Sequence, residues 1–344
     1  MPSFVANANE HTGVKALMDN GLVTIPGCYI KPPSHRAVKH LIVPGVEIPV
    51  IDMAALESDR EEFVQTLCMA SSEWGIFQVF DRGEDEVLYG GGVCASAVLY
   101  KYDTFSRDSY GVARSLSALL FKQRKGASMA GKTSVLQVNE LDQFGFHEIA
   151  CFLGYCRRLA SSYVSSVKHL SQTLLSALSE GLGLDSNCLA KSFGDSEMIL
   201  RSNYYPPCPN PDLALGMNGH TDSGGLTILF EDQVGGLQAR KGDLWYDLKP
   251  IKNAFIVNIA DQLEVLSNGK YKSIEHRVLV QPDQTRLSIV AFCNPSRDVV
   301  IGPLPEFIDE QNPPLYRSTL YEEHITNVYT KYLDGKHSQK LQIN

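Results

Sequence analysis

The sequence predicts a mainly β protein with flanking helices, in which an all-β C-terminal part follows a helical and mixed N-terminal part. Two patterns carry this prediction. From residue 148 to 180, apolar residues such as Leu170, Leu174 and Leu178 recur at helical spacing. After Asn203, short apolar runs rich in β-branched residues alternate with turns of Gly, Pro, Asn and Asp, as in a β-sandwich or barrel. These runs are 226–230, 244–248, 254–259, 277–280 and 287–292.

The N-terminal elements can be predicted in order along the chain. Residues 13–20 are expected to form a short helix, and the prolines after it keep the following loop extended. Residues 46–52 and 74–80 are predicted strands, because β-branched and aromatic residues dominate them. Between these strands, Ser58 or Asp59 is expected to cap a helix that covers the next three to four turns.

The predicted division into two parts depends on the elements expected between residues 81 and 195. In residues 81–140, where three consecutive glycines interrupt any regular element, we expect helices. The segment 148–180 is long enough for one helix or two in tandem, with Gly181 as the stop. We therefore divide the chain into residues 1–195, a helical and mixed region with the first strands, and residues 196–344, the β core with a C-terminal helix. The two parts are expected to pack as one compact unit.

Composition excludes several classes of partner. The net charge of -8 argues against a nucleic-acid-binding surface. No apolar run reaches the roughly 18–20 residues that span a bilayer, and the first residues lack the pattern of a signal peptide. The eight cysteines are scattered without a Cys-x-x-Cys pair, so we expect neither a disulfide framework nor a zinc knuckle. We expect a cytoplasmic monomer that acts on a small molecule, without nucleic-acid or membrane partners.

The residues with the clearest chemistry are two histidines and an aspartate. His220 and Asp222 lie two positions apart, and side chains at i and i+2 of a strand point to the same face. His276 follows much later, so only a folded β structure would bring it to them, and the spacing is too long for a zinc finger. Two imidazoles and one carboxylate leave the opposite face of a metal open, which suits Fe(II) and dioxygen.

A second constellation follows the last histidine. In the predicted strand around 287–292, Arg286, Ser288 and Phe292 would lie on one face. An inward-pointing Arg is costly unless an anion pairs with it, and a guanidinium beside a hydroxyl suits a small carboxylate. The alternative is a structural salt bridge within the protein. Upstream, Asn203 and Tyr205 share a face and could bind the same ligand, or they could simply end a strand before a proline-stiffened loop.

These residues resemble the plant 2-oxoglutarate- and Fe(II)-dependent dioxygenases. The matching segments include Asn-Tyr-Tyr-Pro-Pro-Cys-Pro, His-Thr-Asp and Arg-Leu-Ser, and their order and spacing also match. They are residues 203–209, 220–222, 232–238, 266–269, 276–278 and 286–288, with weaker matches at 48–52 and 73–79. The resemblance implies a distorted double-stranded β-helix, the jelly-roll form, as the core. It also implies that His220, Asp222 and His276 bind Fe(II), that 2-oxoglutarate and O₂ are cosubstrates, and that ascorbate serves as reductant.

The same resemblance implies roles for the second constellation. Arg286 and Ser288 would hold the distal carboxylate of 2-oxoglutarate, with Tyr205 assisting. Asn203 would support the cosubstrate side of the site. Phe292 matches a position that stacks on an aromatic substrate in flavonoid-type members.

The implied activity is hydroxylation or desaturation of a small specialised metabolite, coupled to conversion of 2-oxoglutarate to succinate and CO₂. Residues 292–295, Phe-Cys-Asn-Pro, resemble a segment of flavanone 3-hydroxylase and flavone synthase I, so we favour a flavonoid or related phenolic substrate. Two alternatives stay open. One is an oxidase of the same fold that does not use 2-oxoglutarate, like aminocyclopropanecarboxylate oxidase. The other is a non-enzymatic binding protein on a jelly-roll scaffold.

The resemblance fails in one region of the chain. Residues 81–83 read Asp-Arg-Gly where the family usually carries Asn-His-Gly, and no tryptophan occurs between Trp74 and Trp245. The family pattern is also missing from residues 84–140. One hypothesis is a divergent lid over the substrate, and the other is an altered reading frame in the gene model. Sequencing the transcript over this span separates them, because an unshifted transcript excludes the second.

Overall fold

Two β-sheets form the framework that positions the predicted site. The computed structural model describes residues 21–37, 41–80, 134–137, 150–331 and 341–343. The strands in these ranges are β1 (Ile42–Val46), β2 (Val50–Asp52), β3 (Ile76–Phe80), β4 (Ser134–Gln137), β5 (Glu197–Tyr205), β6 (Met217–His220), β7 (Leu226–Glu231), β8 (Leu237–Lys241), β9 (Leu244–Leu248), β10 (Phe255–Ile259), β11 (His276–Val278), β12 (Arg286–Asn294), β13 (Val300–Ile301) and β14 (Thr319–Leu320).

The minor sheet has the order β1-β9-β8-β11-β6, and the major sheet has the order β2-β3-β10-β7-β12-β5-β4. Strands β13 and β14 form a separate pair. Apolar side chains from both sheets pack together between them, among them Leu237 and Val278 from the minor sheet and Ile256 from the major sheet. The predicted double-stranded β-helix with flanking helices is therefore confirmed.

Two of the helices, Arg60–Glu73 and Ala150–Gly181, pack against each other and against strands of the major sheet. The helices are α1 (Ala55–Ser58), α2 (Arg60–Glu73), α3 (Ala150–Gly181), α4 (Cys188–Ser192), α5 (Asp261–Leu266) and α6 (Tyr321–Lys331). Helix α3 confirms the predicted helix as one uninterrupted element. Its residues Leu170, Leu174 and Leu178 are buried against α2 and the sheet. Within the part of the chain described above, no helix combines the length and apolarity needed to cross a membrane.

Several predicted elements differ from the structure. Residues 46–52 do not form one strand, because β1 pairs with β9 in the minor sheet whereas β2 pairs with β3 in the major sheet. The chain crosses between sheets at residues 47–49, where Pro49 has no N–H to donate. The helices expected in 81–140 are wrong at 134–137, which form β4. The helix predicted at 13–20 and the divergent residues 81–133 lie outside the described residues.

The two parts of the predicted domain layout share sheets. Strands β2 and β3 come from the N-terminal part, and β3 pairs with β10 of the C-terminal part. The boundary at residues 195 and 196 stays a prediction. Cys28, Cys68, Cys188, Cys208 and Cys293, the cysteines whose side chains the structure describes, are free thiols.

The start of α2 provides a test of the capping prediction. The Asp59 side chain accepts a hydrogen bond from the Glu62 amide at 3.0 Å, whereas the Ser58 hydroxyl bonds backward to the Ala54 carbonyl at 3.1 Å. Because a missing cap leaves a backbone N–H unsatisfied, Asp59→Ala is expected to lower the free energy of unfolding by about 1 kcal/mol. Ser58→Ala is the matched control with a smaller loss, measured by urea unfolding. Equal losses in the two variants would contradict the capping role of Asp59.

Candidate metal centre and neighbouring ion pair

The three predicted metal ligands meet where the minor sheet turns into the major sheet. Strand β6 ends at His220, Asp222 lies in the loop that leads to β7, and His276 begins β11. His276 pairs directly with His220 across the two antiparallel strands. One ligand atom from each residue lies within 4.8 Å of the others, and this is the group of metal-ligating side chains found in the described residues.

Asp222 does not lie on the same strand as His220. His220 and Asp222 were expected to project together from one strand, but the strand stops at His220. They converge because the loop turns the carboxylate back toward β6. The conclusion about the cluster holds, whereas the alternation along a strand is not its cause.

The Asp222 carboxylate has one oxygen held by the protein and one directed at the histidines. Its Oδ2 accepts hydrogen bonds from the Thr227 hydroxyl at 2.7 Å and from the Asn258 amide at 2.8 Å. Its Oδ1 lies 3.6 Å from Nε2 of His220 and 3.8 Å from Nε2 of His276. These separations are too long for direct hydrogen bonds, so the three atoms surround a space suited to a cation.

The two imidazoles are oriented by backbone carbonyls. Nδ1 of His220 lies 2.8 Å from the Asn218 carbonyl, and Nδ1 of His276 lies 3.2 Å from the Ile274 carbonyl. A proton on Nδ1 that is donated to a carbonyl leaves the Nε2 lone pair free for a metal. Burial raises the pKa of Asp222, but the two histidines and the two hydrogen bonds to Oδ2 outweigh burial and hold its pKa below the ordinary value.

Two glycines let the loop between β6 and β7, residues 221–225 and here called the metal loop, lie close to neighbouring elements. A Cβ at Gly224 would lie 1.9 Å from Oδ1 of Asn294, and a Cβ at Gly225 would lie 2.1 Å from Cζ of Phe193. Helix α5 adds a second anchor, because the Asp261 amide donates to the Asp222 carbonyl at 2.9 Å. The position of Asp222 therefore depends on close backbone contacts as well as on its own hydrogen bonds.

The second predicted constellation contains an ion pair within the protein. Arg286 is 1% exposed and donates through Nε to Oε2 of Glu231 at 3.1 Å, and its Nη2 contacts the same oxygen. Its guanidinium lies over the Tyr205 ring at 5.2 Å. Nη1 lies 3.5 Å from the Ser288 hydroxyl, which also accepts from the Asn203 amide at 3.2 Å.

This arrangement brings the four predicted residues together. The register of β5, β12 and β7 explains it, since Arg286 is opposite Tyr205, and Ser288 is opposite both Asn203 and Glu231. The structure also contains the salt bridge that the sequence left as an alternative. Glu231 was missed, although an acidic residue that closes the apolar run 226–230 was a signal for it.

A further cation lies beside Phe292. The guanidinium of Arg201 is 5.3 Å from the centre of the Phe292 ring, and its Nε is buried with no hydrogen-bond partner among the described residues. Strand register places Arg201 opposite Val290, on the same face of β5 as Asn203. Arg201 could not be predicted as a site residue, because nothing in the local sequence distinguishes it from a surface arginine.

Comparisons with known proteins agree with the predicted fold and with the predicted use of Fe(II) and 2-oxoglutarate. The family model of the 2OG-Fe(II) oxygenase superfamily matches residues 196–295. The chain is 34% identical to jasmonate-induced oxygenase 1 of Arabidopsis thaliana, over 96% of this chain and 86% of that protein. It is 33% identical to feruloyl CoA ortho-hydroxylase 1 of Arabidopsis thaliana, over 94% of this chain and 91% of that protein.

Among solved structures, the chain is similar to JOX2 in complex with 2OG, Fe and JA. The TM-score is 0.82 at 32% identity, with 96% of this chain and 98% of that chain covered. It also resembles the Arabidopsis thaliana dioxygenase for auxin oxidation 1 bound to 2-oxoglutarate, with a TM-score of 0.64 at 25% identity, over 77% of this chain and 99% of that one.

A jelly roll that brings two histidines and one carboxylate together has the construction of a non-haem Fe(II) oxygenase. The chain belongs to the 2OG-Fe(II) oxygenase superfamily. The predicted class, an oxidoreductase that uses Fe(II) and 2-oxoglutarate, is thereby confirmed, as is the relation to plant dioxygenases of phenolic metabolism.

Proposed function

We propose that this enzyme hydroxylates or desaturates a flavonoid or related phenolic compound, with His220, Asp222 and His276 as its Fe(II) ligands. The observation that carries the metal assignment is the divided role of the Asp222 carboxylate. Thr227 and Asn258 occupy Oδ2, so Oδ1 is the oxygen left to face the two histidines. The donor set, two imidazoles and one carboxylate, fits Fe(II).

We assign the cosubstrate to the neighbouring residues of the major sheet. Arg286 and Ser288 would hold the distal carboxylate of 2-oxoglutarate, with Tyr205 and Asn203 beside them. The contacts among these four side chains support the assignment. When bound, iron and 2-oxoglutarate supply an oxidant for C–H bonds, while the protein orients the substrate and excludes water.

The proposed substrate class is inferred from the contact between Phe292 and Arg201. An aromatic ring beside the Arg201 guanidinium suits a substrate that has its own ring and an anionic or phenolic oxygen. A relative named for feruloyl CoA, a thioester with a phenolic ring, points to the same class of substrate. We further propose that the enzyme acts as a monomer in the cytoplasm.

The test is a screen for succinate release that depends on substrate. A panel of flavonoids, hydroxycinnamoyl thioesters and acidic plant hormones would be offered with Fe(II), 2-oxoglutarate, ascorbate and O₂. We expect a phenolic compound to raise succinate formation well above the rate without substrate. Iron-dependent product formation without succinate would instead support the oxidase alternative, and stimulation by non-aromatic acids alone would contradict the phenolic assignment.

The panel also tests Arg201. Arg201→Gln is expected to raise the KM for an anionic substrate by roughly tenfold or more, the cost of one lost charge-assisted hydrogen bond. The KM for 2-oxoglutarate should change little, because that cosubstrate is assigned to Arg286. Lys168→Gln, which removes a charge from α3, is the matched control. An unchanged substrate KM in Arg201→Gln would remove this residue from the substrate side.

A further inference from the structure

The carboxylate of Glu231 forms an ion pair with Arg286, the residue to which the proposed function assigns the distal carboxylate of 2-oxoglutarate. Both members of the pair are buried, at 1% exposure for Arg286 and 5% for Glu231. Nε and Nη2 of Arg286 both donate to a single oxygen, Oε2. The other oxygen, Oε1, is buried and has no hydrogen-bond partner among the residues that the structure describes.

The buried pair of Arg286 and Glu231 has no net charge, so a bound dicarboxylate would add an uncompensated negative charge. In the free protein, one guanidinium and one carboxylate balance. A dicarboxylate that brings its distal carboxylate to Arg286 would place two anions on one buried cation, and an uncompensated buried charge is costly. The pocket therefore has to lose one negative charge or move Glu231 away when the ligand arrives.

The surroundings of Glu231 favour gain of a proton over movement. Burial raises the pKa of Glu231, and Arg286 on β12 opposes that effect, with the net pKa above its ordinary value. The carboxylates of Asp232, next in the chain, and of Asp247 on β9 raise it further. Tyr205 on β5 completes the titratable groups around it, and burial raises the pKa of that phenol, which keeps it neutral.

We propose that Glu231 takes up one proton from solvent when 2-oxoglutarate binds, so that Arg286 remains charged and is shared between a neutral carboxyl and the incoming carboxylate. The proton goes to Oε1, the oxygen without a partner, and no other bond forms or breaks. This inference rests on the proposed role of Arg286 in holding the cosubstrate. It makes Glu231 a positioning residue that sets the pH dependence of cosubstrate affinity.

The proposal predicts how the Kd of 2-oxoglutarate changes with pH. Uptake of one proton makes the Kd rise with pH, approaching tenfold per pH unit between the pKa values of the free and bound states. Anaerobic titration of the Fe(II)-loaded protein, followed by the visible charge-transfer band, measures this Kd. 2-Oxopentanoate has a methyl group in place of the distal carboxylate, so its titration reports any pH effect that arises at the metal ligands.

We expect a steeper pH dependence for 2-oxoglutarate than for 2-oxopentanoate in the native protein. Glu231→Gln should remove the difference and lower the Kd of 2-oxoglutarate at least severalfold at the alkaline end. Asp247→Asn, which removes a nearby carboxylate that does not pair with Arg286, should keep the steep dependence. Equal slopes for the two ligands in the native protein, or weaker binding in Glu231→Gln at every pH, would overturn the proposal.

If Glu231→Gln does not fold, calorimetry of the native protein can still test whether a proton is taken up when 2-oxoglutarate binds. Titration of the native Fe(II) protein in buffers with different ionisation enthalpies counts the protons taken up, and we expect close to one for 2-oxoglutarate and none for 2-oxopentanoate. A count of zero for both overturns the role of Glu231. Arg286→Ala separates this failure from that of the proposed function, since an unchanged Kd for 2-oxoglutarate in that variant would refute the assignment of Arg286 itself.

Discussion

Asp222→Ala is expected to abolish iron-dependent turnover while leaving the fold intact. The substitution removes the oxygen that faces both histidines and leaves two imidazoles to hold the metal. Loss of a residue that only supports a ligand costs roughly 10–100-fold in metal affinity, so loss of the ligand should cost more. Fe(II) affinity under anaerobic conditions and succinate release are the two measurements.

The surroundings of Asp222 provide graded controls. Asn258→Ala removes one of the two hydrogen bonds to Oδ2 and should lower Fe(II) affinity by about 10–100-fold, less than Asp222→Ala. Asp243→Ala removes a fully exposed carboxylate in the turn between β8 and β9 and should leave affinity unchanged. Native-like turnover in Asp222→Ala would refute its assignment as a ligand.

Arg286→Met is expected to give the largest loss of stability among single substitutions in the site. It leaves the Glu231 carboxylate buried without its counter-ion, and breaking a buried pair by removing one partner costs about 3–5 kcal/mol. The double variant Arg286→Met/Glu231→Met removes both charges and should recover most of that loss. Chemical denaturation of both variants measures the difference.

The loss of stability in Arg286→Met is expected to depend on pH. Without Arg286, the folded-state pKa of Glu231 rises further above its unfolded value, because only burial and neighbouring acids remain. The destabilisation should therefore be small at low pH, where Glu231 is protonated in both states, and should grow as the pH rises through the folded-state pKa. Arg60→Met, which breaks an exposed ion pair with Glu180, is the control, with a loss of at most about 1 kcal/mol. Equal losses in the two variants would contradict the account of the buried pair.

Local patterns predicted the elements whose structure depends on local causes. The spacing of leucines in α3 and the acidic residue before α2 are properties of a helix and its first turn, so each could be recognised in the sequence. The residues on one face of β12 were likewise predictable, because alternation is fixed within a strand.

The contact partners of the site residues could not be predicted, because they depend on which strands become neighbours in the folded sheets. Arg286 was expected to need an anion, but Glu231 could be identified as that anion only once β7 and β12 were known to pair. The support of Asp222 by Thr227 and Asn258 depends in the same way on the adjacency of β7 and β10. The metal loop shows a third limit, since its course is set by close contacts of Gly224 and Gly225 with distant residues.

The proposed function requires that His220, Asp222 and His276 bind one Fe(II), and that 2-oxoglutarate binds to this iron. Anaerobic addition of Fe(II) and then 2-oxoglutarate to the full chain tests it most directly, because the keto acid gives a visible charge-transfer band only when it chelates the iron. We predict a band that saturates at one equivalent of Fe(II) and is absent from His276→Ala. No band in the native protein, or an equal band in His276→Ala, would contradict the account.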